Sequence, residues 1–453
     1  MSDAMNARAS NFSGPDSPTW ELYSKCVHCG LCLNHCPTYR VLGVEMDSPR
    51  GRIRQVLDVD QGTLTIGKEF VTHIDRCLDC RACESVCPSG VHYGAIVERA
   101  RTQIEQHYRR PLATRLLRNF FYGSVLKDAK KLARVARILR FTQTAGLQSA
   151  ARKLGLTKLL GIGELDALSP TIDREFFERE IGQVFPADAP KRGTVAFHAG
   201  CIQRVAFAEL DRATIRLLQR NGIEVHVPAG QGCCGALHAH AGRRDDAREL
   251  ARKNIGAIFD MPHSPNFDAI ITNAAGCGST MKEYDDLLEH DAEFRERATE
   301  WKRKMRDVSE YLAEIGLRPP NSKIPGRVAY QDACHLLHGQ RISVQPRELL
   351  RAAGAELVEL DHADQCCGSA GTYNITETEL SMQLLDRKMR DVSAAAPDLI
   401  VTGNVGCQLQ LRAGIARAKK QGRRDDIPVL HIVEVLERCY SADAESKHAA
   451  PAS

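Results

Sequence analysis

Two short cysteine runs constrain this chain more than any other feature: Cys26-x-x-Cys29-x-x-Cys32-x-x-x-Cys36-Pro37 and Cys77-x-x-Cys80-x-x-Cys83-x-x-x-Cys87-Pro88. Three thiolates two residues apart wrap one face of a cuboidal cluster, and in two-cluster proteins the fourth cysteine of each run ligates the other cluster. The spacing therefore predicts Cys26, Cys29, Cys32 and Cys87 on one 4Fe-4S cluster and Cys77, Cys80, Cys83 and Cys36 on a second. Proline after each fourth cysteine removes a backbone donor and turns the chain away, while Gly30 lets the backbone pass close to the cluster. Zinc sites of four cysteines usually pair two short Cys-x-x-Cys steps across a longer loop, which these runs do not do. His28, inside the first run, reads as a spacer or a hydrogen-bond donor rather than a ligand, since four thiolates complete the site.

Sixteen of the seventeen cysteines fall into four groups, leaving Cys439 as an ordinary thiol. That grouping suits metal centres in a reducing compartment better than a secreted disulfide framework. The 453 residues are too many for one small core, and the net charge of +4 gives no reason to expect nucleic acid as a partner. No run approaches the roughly 18 consecutive apolar residues of a membrane span, and the polar start has no secretory-signal pattern, so a cytoplasmic location is expected.

The C-terminal part repeats with a period of about 133 residues: Cys201 matches Cys334, Cys233-Cys234 match Cys366-Cys367, and Cys277 matches Cys407. Strand-like runs Thr194–His198 and Val328–Gln331 lead into the first cysteine of each copy. Helical stretches follow at 207–221 and 346–353, then strand-like Ile223–Val227 and Glu356–Leu360 ahead of Cys-Cys-Gly. A further helix leads to Ala269–Thr272 and Leu399–Thr402, just before Cys277 and Cys407. Alternating strand and helix predicts parallel α/β units, whose ligand groups gather beyond the carboxyl ends of the strands. Each copy thus assembles four thiols, Cys201, Cys233, Cys234 and Cys277 in one and Cys334, Cys366, Cys367 and Cys407 in the other. A redox cluster per copy is the preferred reading; structural zinc or reactive buried thiols are the alternatives. His238, His240, His335 and His338 are either extra ligands or polar packing.

Between these regions lies a basic helical segment, with Arg109, Arg115, Arg118, Lys130, Arg134 and Arg140 among its cations and Leu116, Leu117, Phe120, Phe121, Val125, Leu132, Val135 and Leu139 at helical spacing. The plainer reading packs the apolar face on the rest of the chain; the sharper one makes it a dock for anionic lipid or an acidic partner subunit. Upstream, Asp47-Ser48-Pro49-Arg50-Gly51-Arg52 predicts a turn into a helix, with its guanidiniums directed either at cluster charge or at surface carboxylates.

Taken together, Cys26-Val-His-Cys29-Gly-Leu-Cys32 through Cys36-Pro-Thr-Tyr39, Asp47-Ser-Pro-Arg-Gly-Arg52, Cys87-Pro-Ser-Gly-Val-His-Tyr-Gly94 and the two Cys-Cys-Gly repeats resemble the iron-sulfur subunit of bacterial glycolate oxidase, a glycolate dehydrogenase. The resemblance implies flavin-binding partner subunits that oxidise glycolate to glyoxylate, no flavin on this chain, and electrons passed on to quinone or another membrane acceptor at the inner face of the cytoplasmic membrane. The Cys-Cys-Gly unit is shared with heterodisulfide reductase subunits, lactate-utilisation proteins and anaerobic glycerol-3-phosphate dehydrogenase, so related electron-transfer or thiol/disulfide roles are the competing readings. In the heterodisulfide reductase version the third element is Cys-x-x-Cys and five cysteines hold a noncubane cluster. Here Cys277 and Cys407 stand alone, so neither that cluster nor disulfide reduction is carried over. The expected architecture is multidomain α+β: a disordered 1–20, a mainly helical ferredoxin-like domain 21–95, a basic helical linker 96–190, two tandem α/β Cys-Cys-Gly domains 191–322 and 323–440, and a disordered 441–453.

Overall fold

The structure, a computed structural model, describes residues 10–159, 163, 168–261, 265–420, 422 and 426–441. Its N-terminal part is helical. The helices Pro49–Asp60, Lys68–Asp75 and Tyr93–His107 enclose a core of Ile53, Val56, Phe70, Ile74, Ile96, Val97, Ala100 and Ile104. The first of these starts as its sequence dictates. Ser48 caps it by accepting from Gly51 N at 3.0 Å, and Pro49 sits where no backbone donor is needed. Gly51 is required because a Cβ there would overlap the Glu45 carbonyl.

Two expected boundaries shift. The helix Tyr93–His107 belongs to the cluster domain's core, so a linker starting at 96 cuts through it; the basic composition that suggested a linker comes partly from Arg99 and Arg101, which are buried. Within the expected disordered 1–20, residues from 10 onward pack onto the same domain. Phe12 joins its core and Ser13 N donates to Gln103 Oε1 at 3.1 Å, a pairing that polar local composition does not reveal. Residues 1–9 and 442–453 lie outside the described residues.

Each repeat copy is a parallel sheet. In the first, β2 (Gly193–Phe197) lies between β3 (Ile223–His226) and β4 (Ala269–Thr272), and β5 (Met305–Asp307) extends the sheet beyond β4. A two-residue β1 (Val184–Phe185) adds antiparallel to β3. The second copy repeats the order with β6 (Arg327–Gln331) between β7 (Glu356–Val358) and β8 (Leu399–Thr402), then β9 (Val429–His431). The register pairs Val195 with Val225 and Ala269, and Val328 with Leu357 and Leu399. β4 and β8 are buried along their whole length, as the apolar runs Ala-Ile-Ile-Thr and Leu-Ile-Val-Thr require. The three expected strands per copy are present; β5 and β9 are additional, three residues each and too short to carry a period of their own.

The copies are not separate bodies. The helix Ala208–Arg220 of one copy packs on the last helix of the other, Ile432–Arg438, and reciprocally Val344–Ala352 packs on Val308–Ile315. One core therefore runs through both, joining Leu217, Leu218 and Val225 to Leu350, Val401 and Val433.

The basic segment forms the helices Leu112–Phe120 and Ala129–Thr144, joined through a turn at 121–125. Only part of its apolar pattern faces inward. Tyr122, Val125, Leu126 and Leu132 are buried, but Leu116, Leu117, Phe120 and Val135 are exposed. Packing against the rest of the chain thus accounts for the turn and one side of the second helix, and leaves the first helix with no buried residue.

Candidate metal centres and their joint

The structure brings the two cysteine runs together in the crossed way their spacing predicts. One cavity is lined by Cys77, Cys80, Cys83 and Cys36, with Thr38, Arg52, Arg81 and Tyr93. A second is lined by Cys26, Cys29, Cys32 and Cys87, with Cys83, Arg50, Ile53 and Tyr93 also on its wall. The two loops share a backbone solution. His28 and Asp79, before the second cysteine of each run, and Gly30 and Arg81, after it, all have positive φ between 53° and 84°. Three of the four are not glycine, and such strain persists only where surrounding contacts over-determine it. At Gly30 a second reason exists: a Cβ would meet Arg50 Nη1 at 2.6 Å.

The cavities differ in their surroundings. Cys29 is exposed and flanked by exposed Val27 and Leu31, whereas Cys36, Cys77, Cys80 and Cys83 are all buried. Arg50 stays at the surface, pairing with Glu45 at 2.6 Å and donating to the His28 carbonyl at 3.2 Å. Arg52 turns inward and is only 1% exposed. It donates to the His73 carbonyl at 2.7 Å and to Thr38 Oγ1 at 3.2 Å, and pairs with buried Asp47 at 3.4 Å. Burial opposes its charge, but Tyr93, Cys77, Cys36 and Asp47 hold it firmly protonated. Thr38 Oγ lies 3.2 Å from Cys36 Sγ, Asp79 N donates to Cys77 Sγ at 3.3 Å, and the Tyr93 hydroxyl points at Cys77 Sγ from 3.7 Å.

In the repeats all eight expected cysteines converge at the carboxyl ends of the parallel strands. Cys201 and Cys233 Sγ are 3.3 Å apart, and contact continues from Cys233 to Cys234 to Cys277. The second copy reproduces the row: Cys334 to Cys366 to Cys367 to Cys407. Gly235 (φ +83°) and Gly368 (φ +93°) supply the left-handed turn after each cysteine pair. None of these thiols is in a disulfide. Each row has a cation near it, half-buried Arg204 beside Cys201 and buried Lys388 toward Cys367 and Cys366; burial lowers the Lys388 ammonium.

This donor chemistry fits metal–thiolate centres. Burial pushes Cys32 up to about 11 and Cys80 and Cys83 well above an ordinary thiol, and contact with Cys366 pushes Cys367 up to about 12. A coordinated thiol is deprotonated outright, so metal charge resolves what packed neutral thiols do not. Arg204 Nε is buried without a hydrogen-bond partner among the described residues. Cys439 is buried away from every cysteine group, in the shared core of the repeats.

The four histidines flagged in the sequence make polar contacts outside the cysteine sets. His238 Nε2 donates to the Tyr122 carbonyl at 2.9 Å. His338 donates from Nε2 to the Asp364 carbonyl at 3.0 Å, leaving Nδ1 to accept from the Ser85 hydroxyl at 2.8 Å. His240 and His335, one from each copy, stack with ring centroids 4.9 Å apart. His240 lies 2.8 Å from Glu98 and 3.1 Å from Asp79, and His335 lies 2.9 Å from the Asp79 carbonyl. The ligand-type atoms of Asp79, Glu98 and His240 all fall within 4.8 Å of one another. Arg81, 3.4 Å from Glu98, and Arg244, 3.6 Å from it, already balance that charge, so the cluster is an ionic joint rather than a cation site.

The joint is extensive. Arg101 donates to the carbonyls of Cys77 and His240, Arg81 pairs with Glu283, Arg99 with Asp286 at 3.0 Å, and Arg244 with Asp16 at 2.7 Å. On the other side Leu78, Cys80 and Ala82 share an apolar cluster with Cys366, Tyr373 and Leu384, with Cys334 packed against it. The buried four-cysteine cavity of the N-terminal domain is thus next to the second copy's row. Sequence reasoning missed this joint, whose local signs were two charged residues between cysteines, Asp79 and Arg81.

Family models described as "4Fe-4S dicluster domain", "Glycolate oxidase iron-sulfur subunit, linker region" and "Cysteine-rich domain" match residues 22–91, residues 113–169, and residues 195–282 and 328–412 respectively. The chain is 38% identical over 417 residues to the probable glycolate oxidase iron-sulfur subunit of Bacillus subtilis, covering 91% of this chain and 92% of that one. It is 33% identical over 431 residues to the glycolate oxidase iron-sulfur subunit of Escherichia coli, covering 92% and 94%. Lactate utilization protein A of Oceanobacillus iheyensis is 28% identical over 244 residues, 53% of this chain and 96% of that protein.

Proposed function

The chain belongs to the family of glycolate oxidase iron-sulfur subunits, and from that premise we propose that it wires a flavoprotein partner, on which glycolate is oxidised, to a membrane quinone. Glycolate gives glyoxylate, two protons and two electrons; quinone takes up two electrons and two protons. A bound 4Fe-4S cluster takes and releases one electron at a time, so the pair travels singly.

The observation that carries this reading is the continuous placement of thiols: Cys29 at the surface, the Cys36, Cys77, Cys80 and Cys83 cavity behind it, and Cys80 packed with Cys366 of the second copy. The proposed ligand sets are those of the two cavities, with the rows Cys201, Cys233, Cys234, Cys277 and Cys334, Cys366, Cys367, Cys407 holding further iron–sulfur centres. This chain's own residues hold the arrangement. Arg52 and Arg101 place positive charge by the buried run, Tyr93 directs its hydroxyl at the Cys77 sulfur, and exposed Val27 and Leu31 beside Cys29 offer an apolar contact to the partner.

Purification of the chain with its neighbours, under anaerobic conditions, tests the reading through glycolate-dependent reduction of a dye or quinone together with iron and sulfide content. Activity with more than about eight irons per chain supports the whole assignment. Absence of both a flavoprotein partner and glycolate-dependent reduction sinks it.

A further inference from the structure

Among the described residues, ten of the eighteen large apolar side chains that stand exposed fall between Leu112 and Leu156. On Leu112–Phe120, Leu112, Leu116, Leu117 and Phe120 share one face by their i, i+4, i+5, i+8 spacing and are 57–67% exposed. On Ala129–Thr144, Ile138 (62%) and Phe141 (66%) do the same, with Arg134 on their side of the helix. Patches of this kind mark an interaction surface.

Charge says what kind. From residue 109 to 159 Asp128 is the single acid, and its carboxylate is engaged in capping the helix at Lys130 N (2.8 Å) and Lys131 N (3.1 Å). Arg115, Lys130, Arg134 and Lys153 are exposed among the apolar side chains. Exposed leucines and phenylalanines on short helices whose own exposed charges are cationic match an anionic bilayer surface, which accepts apolar depth and positive charge together without directional partners. The inner side of the segment adds a second reason. Phe121, Tyr122 and Leu126 pack in one cluster with Cys201, so whatever meets the outer side is brought up to the first copy's cysteine row.

We propose that the outer face of residues 112–156 docks the chain on an anionic lipid surface, setting the Cys201 row nearest the membrane. This rests on the reading of the chain as wiring toward a membrane acceptor. The test uses the full, cluster-loaded chain sedimented with vesicles of phosphatidylcholine alone and of phosphatidylcholine with phosphatidylglycerol. Binding to the anionic vesicles alone is expected, weakening as salt rises. Phe120→Glu with Phe141→Glu should lower partitioning roughly tenfold, and the milder Lys130→Gln with Arg134→Gln should lower it severalfold at unchanged iron content. No binding to anionic vesicles, or binding by both variants equal to that of the wild type, overturns the proposal. So does loss of co-purification with the flavoprotein while vesicle binding persists, which would make the face a protein interface. Wild-type protein that reduces dye with glycolate yet ignores vesicles overturns the docking alone; vesicle binding without any glycolate-dependent activity overturns the functional reading alone.

Discussion

His335 donates its Nε2–H to the backbone carbonyl of Asp79 across 2.9 Å, tying the residue that follows Cys334 to the loop between Cys77 and Cys80. The bond spans two parts of the chain that each hold four thiols. Replacing His335 with Phe keeps the ring volume and removes the donor; on the proposed wiring it should slow electron arrival at a centre in the second copy's row, read by rapid-freeze EPR after reduction through the partner. His335→Gln, which keeps a donor, should recover part of the rate. Equal rates in all three proteins would show the bond to be structural only.

Arg52 is a buried cation on the wall of the cavity of Cys36, Cys77, Cys80 and Cys83. Its removal disfavours added negative charge, so Arg52→Met should lower the reduction potential of that centre by on the order of tens of millivolts. Asp47 keeps Arg76 at 3.2 Å and His73 at 3.0 Å, which limits the accompanying structural damage. An EPR-monitored redox titration reads the shift, and an unchanged potential refutes it.

Gly51→Ala drives a methyl group into the Glu45 carbonyl at the start of the helix carrying Arg52. A loss of about 1–3 kcal/mol is expected from such overpacking, together with iron loss from the N-terminal domain. Chemical denaturation and iron quantification check it; a stability within error of wild type would contradict the close approach.

His240 is raised to about 9: burial works against its charge, and hydrogen bonds and charge from Asp79 and Glu98 outweigh it. Because the folded value lies above the ordinary 6.5, its stabilising contribution is complete below about pH 6.5 and is lost as pH rises through about 9. Melting temperature should therefore fall between pH 7 and pH 10, by less in His240→Gln. Parallel profiles for the two proteins would dismiss the ionic joint as the source.

Asp16 accepts from Arg244 at 2.7 Å and from Arg248 Nη1 at 2.8 Å, and all three carry little exposed surface. Asp16→Asn leaves two guanidiniums short of charge and should cost about 3 kcal/mol, at the low end for a buried pair because Arg244 retains Asp286. Thermal unfolding measures it, and limited proteolysis near residue 10 should accelerate in the same variant.

What could be read from the sequence was whatever has a local signature. The crossed grouping of Cys36 with Cys77 and of Cys87 with Cys26 follows from spacing, and the strands leading to Cys201, Cys233 and Cys277 follow from apolar runs ended by glycine and cysteine. The joint of Asp79, Glu98, His240 and His335 has no such signature, since its members lie up to 256 residues apart in sequence. Periodicity identified the apolar face of Leu112–Phe120 without its direction, because an amphipathic pattern is the same whether it meets a core or an external surface. β5 and β9 escaped notice because three residues set no alternation. Arg52 shows the limit within a single motif: in Pro-Arg-Gly-Arg both arginines look alike, and only the helical turn sends one to solvent and the other to the cysteines.

The reciprocal packing of Ala208–Arg220 on Ile432–Arg438 and of Val344–Ala352 on Val308–Ile315 makes the C-terminal half a homodimer-like pair joined covalently by residues 316–326. That connection acts as a tether, converting what would be a concentration-dependent association into an intramolecular one. A copy expressed alone would present the two helices that normally exchange, and its most accessible partner would be another of itself.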